Sequence, residues 1–332
     1  MKKKLIFKNV KDEFLCYCNF RRKRSTIDQY KKLLKRKHFL EFYGLDFRKI
    51  NKSNLLKWKK QVSKLKCKIE YKKKNYSLLM SIYSYAKKKY SFINKNFEIF
   101  ENFFDDPNEI IVYKENEICG LGEFNYYINC IDLLMNGKIN ADYKIRFQQL
   151  KIISLLCYYS GLRIGEAVAL QVKDLKKISN QYYLIVNKTV YENTSLSKKI
   201  IVSSSKNKSS SRNLPLPKFL SAYLNQIIKE YNLKEDDFFS SFKCKLTNST
   251  NSFRKRLLKV INRFNLKKYH FHIFRHSYAS LLVENGESIE TVSKLLGHSS
   301  TTITFKTYYH LLPETAIKAI NNLELLALKN MY

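Results

Sequence analysis

Apolar and aromatic positions recur at three- and four-residue steps through residues 8–100, where they are set among lysines and arginines. Such spacing places the apolar side chains on one face of a helix and predicts roughly four basic helices in this region. The pattern is carried by Tyr30, Leu33, Leu34, Leu55, Leu56, Trp58, Leu78, Leu79, Ile82, Tyr83 and Ala86. Ser25 and Ser53 precede two of these runs, so both are predicted as helix starts.

From about residue 118 the pattern predicts a second domain, mostly helical with a small antiparallel sheet. An apolar run at 147–160 predicts a buried helix that ends at Gly161. β-branched and aromatic runs predict strands at 182–190, 199–204 and 212–217, with a polar turn at 203–211 between the last two. Further helices are predicted at about 217–231, 251–264, 272–285, 288–296 and 313–328. Gly286 and Gly297 fall where left-handed helix caps are expected.

A cluster of acidic residues around Pro107 interrupts the basic pattern and predicts the domain boundary. Its members are Glu98, Glu101, Asp105, Asp106 and Glu109. We therefore expect a basic helical domain over residues 1–105, a linker over 106–117 and a second domain over 118–332.

Charge is concentrated in the first of these domains. The whole chain has a formal net charge of +34, and residues 1–100 carry thirty Lys and Arg against seven Asp and Glu, a net +23. A polyanion such as nucleic acid would relieve this self-repulsion, and its binding would weaken with added salt. A lysine-rich genome is the alternative explanation, but it does not account for two thirds of the charge lying in the first hundred residues.

The seven cysteines are scattered, and Cys16 and Cys18 are too close together to form half of a zinc finger. We therefore expect no metal, no cofactor and no disulfide framework, which suits a reducing cytosol. The only apolar run near the start, residues 5–7, is too short for a signal peptide or a membrane span. The expected protein is soluble and cytoplasmic, without a membrane partner.

Candidate chemistry lies in three separated segments. His272 and Arg275 are three residues apart on a predicted helix and share one face. Arg163 lies upstream, and Tyr308 follows His298 by ten residues. Metal-free cleavage of a phosphodiester needs a nucleophile, cations for the developing charge and an acid for the leaving oxygen, and these residue types supply such groups.

Each segment taken alone has a plainer interpretation. Arg163 would form an ion pair with Glu166, and His272 with Arg275 would form an exposed helix face. His298 would lie at a helix end, while His270 and His276 are expected to be structural or outside the immediate site. The helix pair over 272–296 resembles a helix-turn-helix, but an inward-facing His272 and Arg275 would argue against groove reading.

Taken together, the segments resemble the tyrosine recombinases of the phage integrase family. The first box, 161–166 (GLRIGE), is similar to the segment that carries the first arginine of that family. The second box, 272–276 (HIFRH), and the third, 296–300 (LGHSS), follow in the family's order, and 307–314 (TYYHLLPE) resembles its nucleophile segment. A polar turn before 212–217 (RNLPLP) is similar to the segment that holds its catalytic lysine.

The resemblance assigns a role to each residue. It implies that Arg163 and Arg275 bind the phosphate, that His272 is a general base or hydrogen-bond partner, and that His298 contacts the phosphate. Tyr308 would be the nucleophile, with Tyr309 as the neighbouring alternative. Lys206 would be the general acid, with Lys208 as its alternative.

The resemblance also implies a fold and partners. The fold would be mainly α with a small antiparallel sheet, built from a core-binding domain and an α+β catalytic domain. Double-stranded DNA would be the substrate, exchanged by a homotetramer, with room for an accessory DNA-bending or excision protein. A nicking–closing enzyme of the type IB topoisomerase kind and a non-catalytic DNA-binding relative are the alternatives.

Overall fold

The computed structural model describes residues 4–22, 24–67, 69–100, 118–137, 140–193, 199–204, 211–243, 245–308 and 320. Two compact units are formed, one by residues 4–100 and the other by residues 118–192 and 199–308. Among the described residues, no helix combines the length and the apolar character needed to cross a lipid bilayer.

The regular elements of the first unit are all helices over its described residues. Its α-helices are α1 (Phe7–Arg21), α2 (Arg24–Leu34), α3 (Lys37–Leu40), α4 (Lys52–Ser63), α5 (Ile69–Tyr90) and α6 (Lys95–Phe100). Aromatic rings fill the core, where Trp58 lies edge-on to Phe39 at a centroid distance of 5.8 Å and Tyr83 stacks on Phe97 at 4.5 Å. The buried amide of Asn94 donates to the carbonyl oxygens of Phe47 and Ile50, which fixes the segment before α6.

The second unit packs a set of helices around a small sheet. Its α-helices are α7 (Leu121–Asn136), α8 (Ala141–Tyr159), α9 (Ile164–Ala169), α10 (Lys218–Glu230), α11 (Thr250–Arg263), α12 (Phe271–Glu284), α13 (Ile289–Leu296) and α14 (Thr301–Tyr308). Helix α8 is central because both of its faces are buried. Its buried residues are mostly apolar, but they include the polar side chains of Gln148, Gln149 and Ser154. Phe124 of α7 stacks on Tyr158 of α8 at 3.8 Å, and Phe274 of α12 lies edge-on to Phe124 at 5.1 Å.

The strands of the second unit are β1 (Leu175–Ile178), β2 (Gln181–Val186), β3 (Lys188–Asn193), β4 (Lys199–Ser204) and β5 (Arg212–Pro215). One antiparallel sheet has the order β1-β2-β5, and β3 pairs separately with β4. In the first sheet Val186 is opposite Arg212 and Leu184 is opposite Leu214. This register brings the start of β5 against the end of β2.

The predicted fold class, mainly helical with a small antiparallel sheet, is confirmed, while several details are corrected. Asn51 rather than Ser53 caps α4, and α2 already begins at Arg24. The predicted strand 182–190 is two strands, and 199–204 pairs with β3 rather than with 212–215. Strand β1 and helices α7 and α14 were not predicted. The predicted helix 313–328, apart from Ile320, and most of the predicted linker lie outside the described residues.

Candidate active site

The first box links α8 to α9 through a left-handed turn. Gly161 has φ +61°, and a Cβ there would lie 2.4 Å from the ring of Tyr278, so this turn requires glycine. Arg163 then caps α9: its backbone N–H donates to Oε2 of Glu166 at 3.0 Å, and its Nη1 donates to Oε1 at 2.8 Å. The ion pair that the sequence offered as an alternative therefore exists.

Glu166 is shared by three guanidinium groups. Besides Arg163, Arg212 Nη2 donates to its Oε2 at 3.1 Å, and Arg275 Nη1 lies 4.0 Å from the same oxygen. Glu166 is only 6% exposed. Burial alone would raise the pKa of this carboxyl, but the guanidiniums of Arg212, Arg163 and Arg275 outweigh it and lower the pKa. Glu166 therefore stays ionised and aligns all three arginines.

Arg275 connects the first and third boxes from its position on α12. Its Nη1 donates to the carbonyl oxygen of Gly161 at 2.7 Å, and its Nη2 donates to that of Leu296 at 2.8 Å. Burial and the neighbouring Arg163 charge lower the pKa of Arg275 to about 9, which still leaves it cationic at neutral pH. Two segments 135 residues apart, at 161 and 296, are thus held by one side chain.

Arg212, at the start of β5, was not among the predicted site residues. Its Nε donates to the carbonyl oxygen of Leu295 at 2.8 Å while its Nη2 binds Glu166. A Cβ on Gly297 would lie 2.8 Å from Arg212 Nη1, so the guanidinium packs directly under the third box. The available signal was an arginine at the start of a predicted strand, six residues after the predicted acid, Lys206.

The third box begins at the left-handed cap of α13. Gly297 has φ +65° and ψ +48°, as predicted, and its carbonyl oxygen lies 3.5 Å from Arg163 Nη2. His298 follows and is half-buried, with its Nδ1 2.7 Å from Thr304 Oγ1. Burial and the charges of Arg275 and Arg163 lower the pKa of His298 to about 4. The imidazole is therefore neutral at physiological pH.

His272 lies at the edge of this arrangement. It is exposed, so the expectation that it faces inward together with Arg275 is wrong; only Arg275 is buried. A cavity of about 300 Å³ next to it is lined by Arg163, Arg254 and His270 among others. His270 itself caps α12 by accepting from the backbone N–H of Ile273. His272 is thus accessible to a ligand that enters this cavity.

Tyr308 ends α14 with its ring in the second unit. The side chain is 2% exposed and packs among Ala279, Val283, Val292 and Leu296. Its Oη lies 2.8 Å from Nδ1 of His276. Burial raises the pKa of Tyr308, and the charge of Arg275 offsets this only in part, so the phenol is protonated at neutral pH. His276, expected to be structural or outside the site, is therefore in direct contact with the expected nucleophile.

A family model now decides the classification. The model of the phage integrase family matches residues 136–315, more than half of the chain. The chain belongs to the phage integrase family. The matched region contains Arg163, His272, Arg275, His298 and Tyr308, and the recombinase resemblance of the sequence is confirmed.

Known recombinases and integrases are similar in sequence to part of this chain. A XerC-like tyrosine recombinase of Caldanaerobacter subterraneus is 30% identical over 204 residues, which are 54% of this chain and 50% of the relative. The ICEBs1 integrase of Bacillus subtilis is 30% identical over 171 residues, 49% of this chain and 45% of the relative. The chain thus spans about half the length of these relatives.

Solved structures extend the likeness in fold to both units. The Tn1549 transposon integrase, in complex with transposon right-end DNA, has a TM-score of 0.69 at 17% identity, with 96% of this chain and 99% of that one covered. The XerH recombinase bound to its difH substrate has a TM-score of 0.63 at 16% identity, with 98% of both chains covered. At these identities the comparison establishes the integrase fold.

The described part of this integrase-family chain brings five of the six predicted residues into one region. Arg163, Arg275 and His298 surround the Gly297 turn, and the rings of His272 and His276 lie 4.4 Å apart beside Tyr308. Lys206, its alternative Lys208, and Tyr309 lie outside the described residues. The described residues contain no group of three or more His, Cys, Asp or Glu arranged to hold a metal ion.

Proposed function

We propose that this protein is a site-specific DNA recombinase of the integrase type, which cleaves and rejoins DNA through a 3′-phosphotyrosyl intermediate on Tyr308. One observation carries the proposal: three arginines share a single carboxylate within the same cluster that holds the Tyr308 hydroxyl. Three guanidiniums against one carboxylate leave an excess of positive charge that suits a phosphate ligand.

The arginines would stabilise the transition state of phosphoryl transfer. Arg163 is the most accessible of the three, with 41% of its side chain exposed, whereas Arg212 and Arg275 are 8% and 3% exposed. We therefore assign direct phosphate contact first to Arg163, with Arg275 behind it. Removal of one donor that is aimed at the developing charge raises the activation barrier by about 3–4 kcal/mol, which slows the reaction by about two or three decades.

The chemical step balances without a metal or ATP. The Tyr308 oxygen forms a bond to phosphorus, the bond from phosphorus to the 5′ oxygen breaks, and the 5′ oxygen leaves as a hydroxyl. We assign its proton to Lys206, with Lys208 as the alternative, and phosphate contacts to His272 and His298. Attack by a 5′ hydroxyl from a second duplex on the phosphotyrosine releases Tyr308 and completes strand transfer.

DNA binding is assigned mainly to the basic domain that we place over residues 1–105, joined by a linker over 106–117 to a catalytic domain over 118–332. The net +23 of the first hundred residues suits a phosphate backbone. A groove on this unit is lined by Arg21, Arg22, Lys88 and Lys89 together with tyrosines. Most contacts would position the duplex, and a minority would read bases.

The relatives suggest a biological setting. Two of them are named as the ICEBs1 integrase and the Tn1549 transposon integrase. We infer that this chain serves a mobile element, that four copies act on two paired DNA sites in the cytoplasm, and that an accessory DNA-bending or excision protein sets the direction of the reaction.

Trapping on a nicked suicide substrate tests the function. In such a DNA the short fragment that carries the free 5′ hydroxyl diffuses away after cleavage. The covalent protein–DNA adduct therefore accumulates and can be seen on a denaturing gel. We expect an adduct with the unchanged chain and with Tyr309→Phe, but not with Tyr308→Phe. No adduct with the unchanged chain on any target-bearing DNA would contradict the proposal. A plasmid with two sites then separates strand exchange, which gives recombinant products, from relaxation alone.

A further inference from the structure

His276 lies at the centre of the site without a role in the predicted chemistry. It follows Arg275 on α12 and comes one helical turn after His272, so the two imidazoles share a face of the helix. Their rings meet edge to face with centroids 4.4 Å apart. His276 is half-buried, and its Nδ1 lies 2.8 Å from the Tyr308 hydroxyl.

Both partners of this hydrogen bond are neutral at physiological pH. Burial and the neighbouring His272 and Arg275 lower the pKa of His276 to about 4, so its imidazole is neutral at physiological pH. Burial raises the pKa of Tyr308, which therefore keeps its proton. With the ring proton of His276 on Nε2, the phenol donates this hydrogen bond and Nδ1 accepts it.

The competing residue is His272, to which the family resemblance gives the role of base or hydrogen-bond partner. His272 is exposed and faces the cavity beside Arg163. Within the described residues, the Tyr308 hydroxyl is hydrogen-bonded to His276 and not to His272. A general base must lie within hydrogen-bond reach of the proton that it removes, and His276 meets that condition.

We propose that Nδ1 of His276 accepts the proton of Tyr308 as the phenolic oxygen attacks the scissile phosphorus. This inference rests on the proposed function. The tyrosine O–H bond breaks as an N–H bond forms on His276, and the bond between phosphorus and the 5′ oxygen breaks as the new oxygen–phosphorus bond forms. The 5′ oxygen receives its proton from a separate acid. His272 is then left to bind the phosphate.

The arginine cluster makes this transfer depend on bound DNA. In the free protein, burial disfavours a cation on His276, and the neighbouring His272 and the charge of Arg275 add to this. A phosphodiester that binds to Arg163 and Arg275 brings a negative charge into the cluster and relieves this repulsion. The basicity of His276 therefore rises when the substrate is in place, which favours activation of the nucleophile in the DNA-bound protein.

The test uses His276→Asn in the full chain, with His272→Asn as the matched control on the same helix face. An Asn amide oxygen can accept the tyrosine hydrogen bond near the position of Nδ1 but cannot take up the proton. Adduct formation is timed on two suicide substrates, one with an ordinary phosphodiester and one with sulfur in place of the bridging 5′ oxygen. Sulfur leaves without a proton, so it rescues a lost acid but not a lost base.

We expect His276→Asn to slow adduct formation by about 10²- to 10⁴-fold, the usual range for a lost base, and by the same factor on both substrates. His272→Asn should be slowed less. Wild-type rates in His276→Asn, or rescue of that variant by sulfur, would overturn the inference while leaving the proposed function intact. Absence of any adduct with the unchanged chain would overturn both.

A second variant keeps the test decisive if His276→Asn folds poorly. His276→Ala leaves a space where the imidazole was, and free imidazole in the buffer can occupy it and accept the proton. We expect added imidazole to restore adduct formation in His276→Ala in a concentration-dependent manner. The rate of adduct formation in His272→Ala should be the same with and without imidazole. Failure of rescue in a His276→Ala protein that still unfolds cooperatively and binds DNA would show a packing role instead.

Discussion

Replacing Gly297 with alanine tests how the third box is held against the arginines. Gly297 has φ +65°, a conformation that costs an L-residue about 1–2 kcal/mol. The new Cβ would also lie 2.8 Å from Arg212 Nη1 and 3.2 Å from its Cδ and Cζ, so the guanidinium must move. Movement of Arg212 breaks its hydrogen bonds to Leu295 and Glu166, and hydrogen bonds of charged groups contribute about 1.5–3 kcal/mol each.

Gly286→Ala is the matched control. Gly286 also has a positive φ, +90°, but a Cβ there would meet no atom within 4 Å. Both substitutions place an L-residue at a positive φ, and only Gly297→Ala should disturb Arg212. We expect Gly297→Ala to lose about 1.5–6 kcal/mol more in the free energy of unfolding than Gly286→Ala, from one or two broken charged hydrogen bonds.

Urea unfolding measures the stability difference, and adduct formation on a suicide substrate measures the effect on the site. We expect Gly286→Ala to retain adduct formation and Gly297→Ala to lose most of it at a temperature where both are folded. Equal stability and equal activity of the two variants would refute the contact between Arg212 and the third box.

Three further outcomes follow from the site. Arg212→Met should lower the free energy of unfolding by about 1.5–3 kcal/mol, because Glu166 loses a buried charged partner. The same substitution should slow adduct formation. Unchanged stability together with unchanged adduct formation would count against the shared carboxylate. Folded-state pKa values near 4 for His276 and His298 lie below the usual 6.5, so the unfolded chain binds more protons between these values. The free energy of unfolding should therefore fall as pH drops from about 6.5 to about 4, and the fall should be shallower in a variant with both His276→Gln and His298→Gln. Thermal unfolding at a series of pH values measures this difference. Lys206→Ala should slow cleavage of the ordinary phosphodiester, and a bridging 5′ sulfur should restore the rate. Rescue by sulfur of Lys208→Ala instead would assign the role of general acid to Lys208.

Much of the site could be predicted because the relevant residues stand in short segments with fixed local geometry. Arg163 follows a glycine turn, His272 and Arg275 lie on one helix, and His298 follows a left-handed cap. These arrangements are set by local backbone preferences, so a single sequence contains them.

Contacts that depend on tertiary packing could not be predicted in the same way. Arg212 and Glu166 are 46 residues apart, and their ion pair exists because β5 pairs with β2. His276 reaches Tyr308 only because α14 packs against α12 and α13, and the β-branched residues of 301–308 gave no clear helical signal. Strand pairing was also missed, since short strands have their partners chosen by the surrounding core.

The identity of the residue that becomes joined to DNA tests the central claim most directly. The trapped adduct can be digested with protease and nuclease, and the peptide that carries the residual nucleotide can be sequenced by mass spectrometry. We expect the 3′ phosphate to be attached to Tyr308. Attachment to Tyr309 or to any other side chain would contradict it.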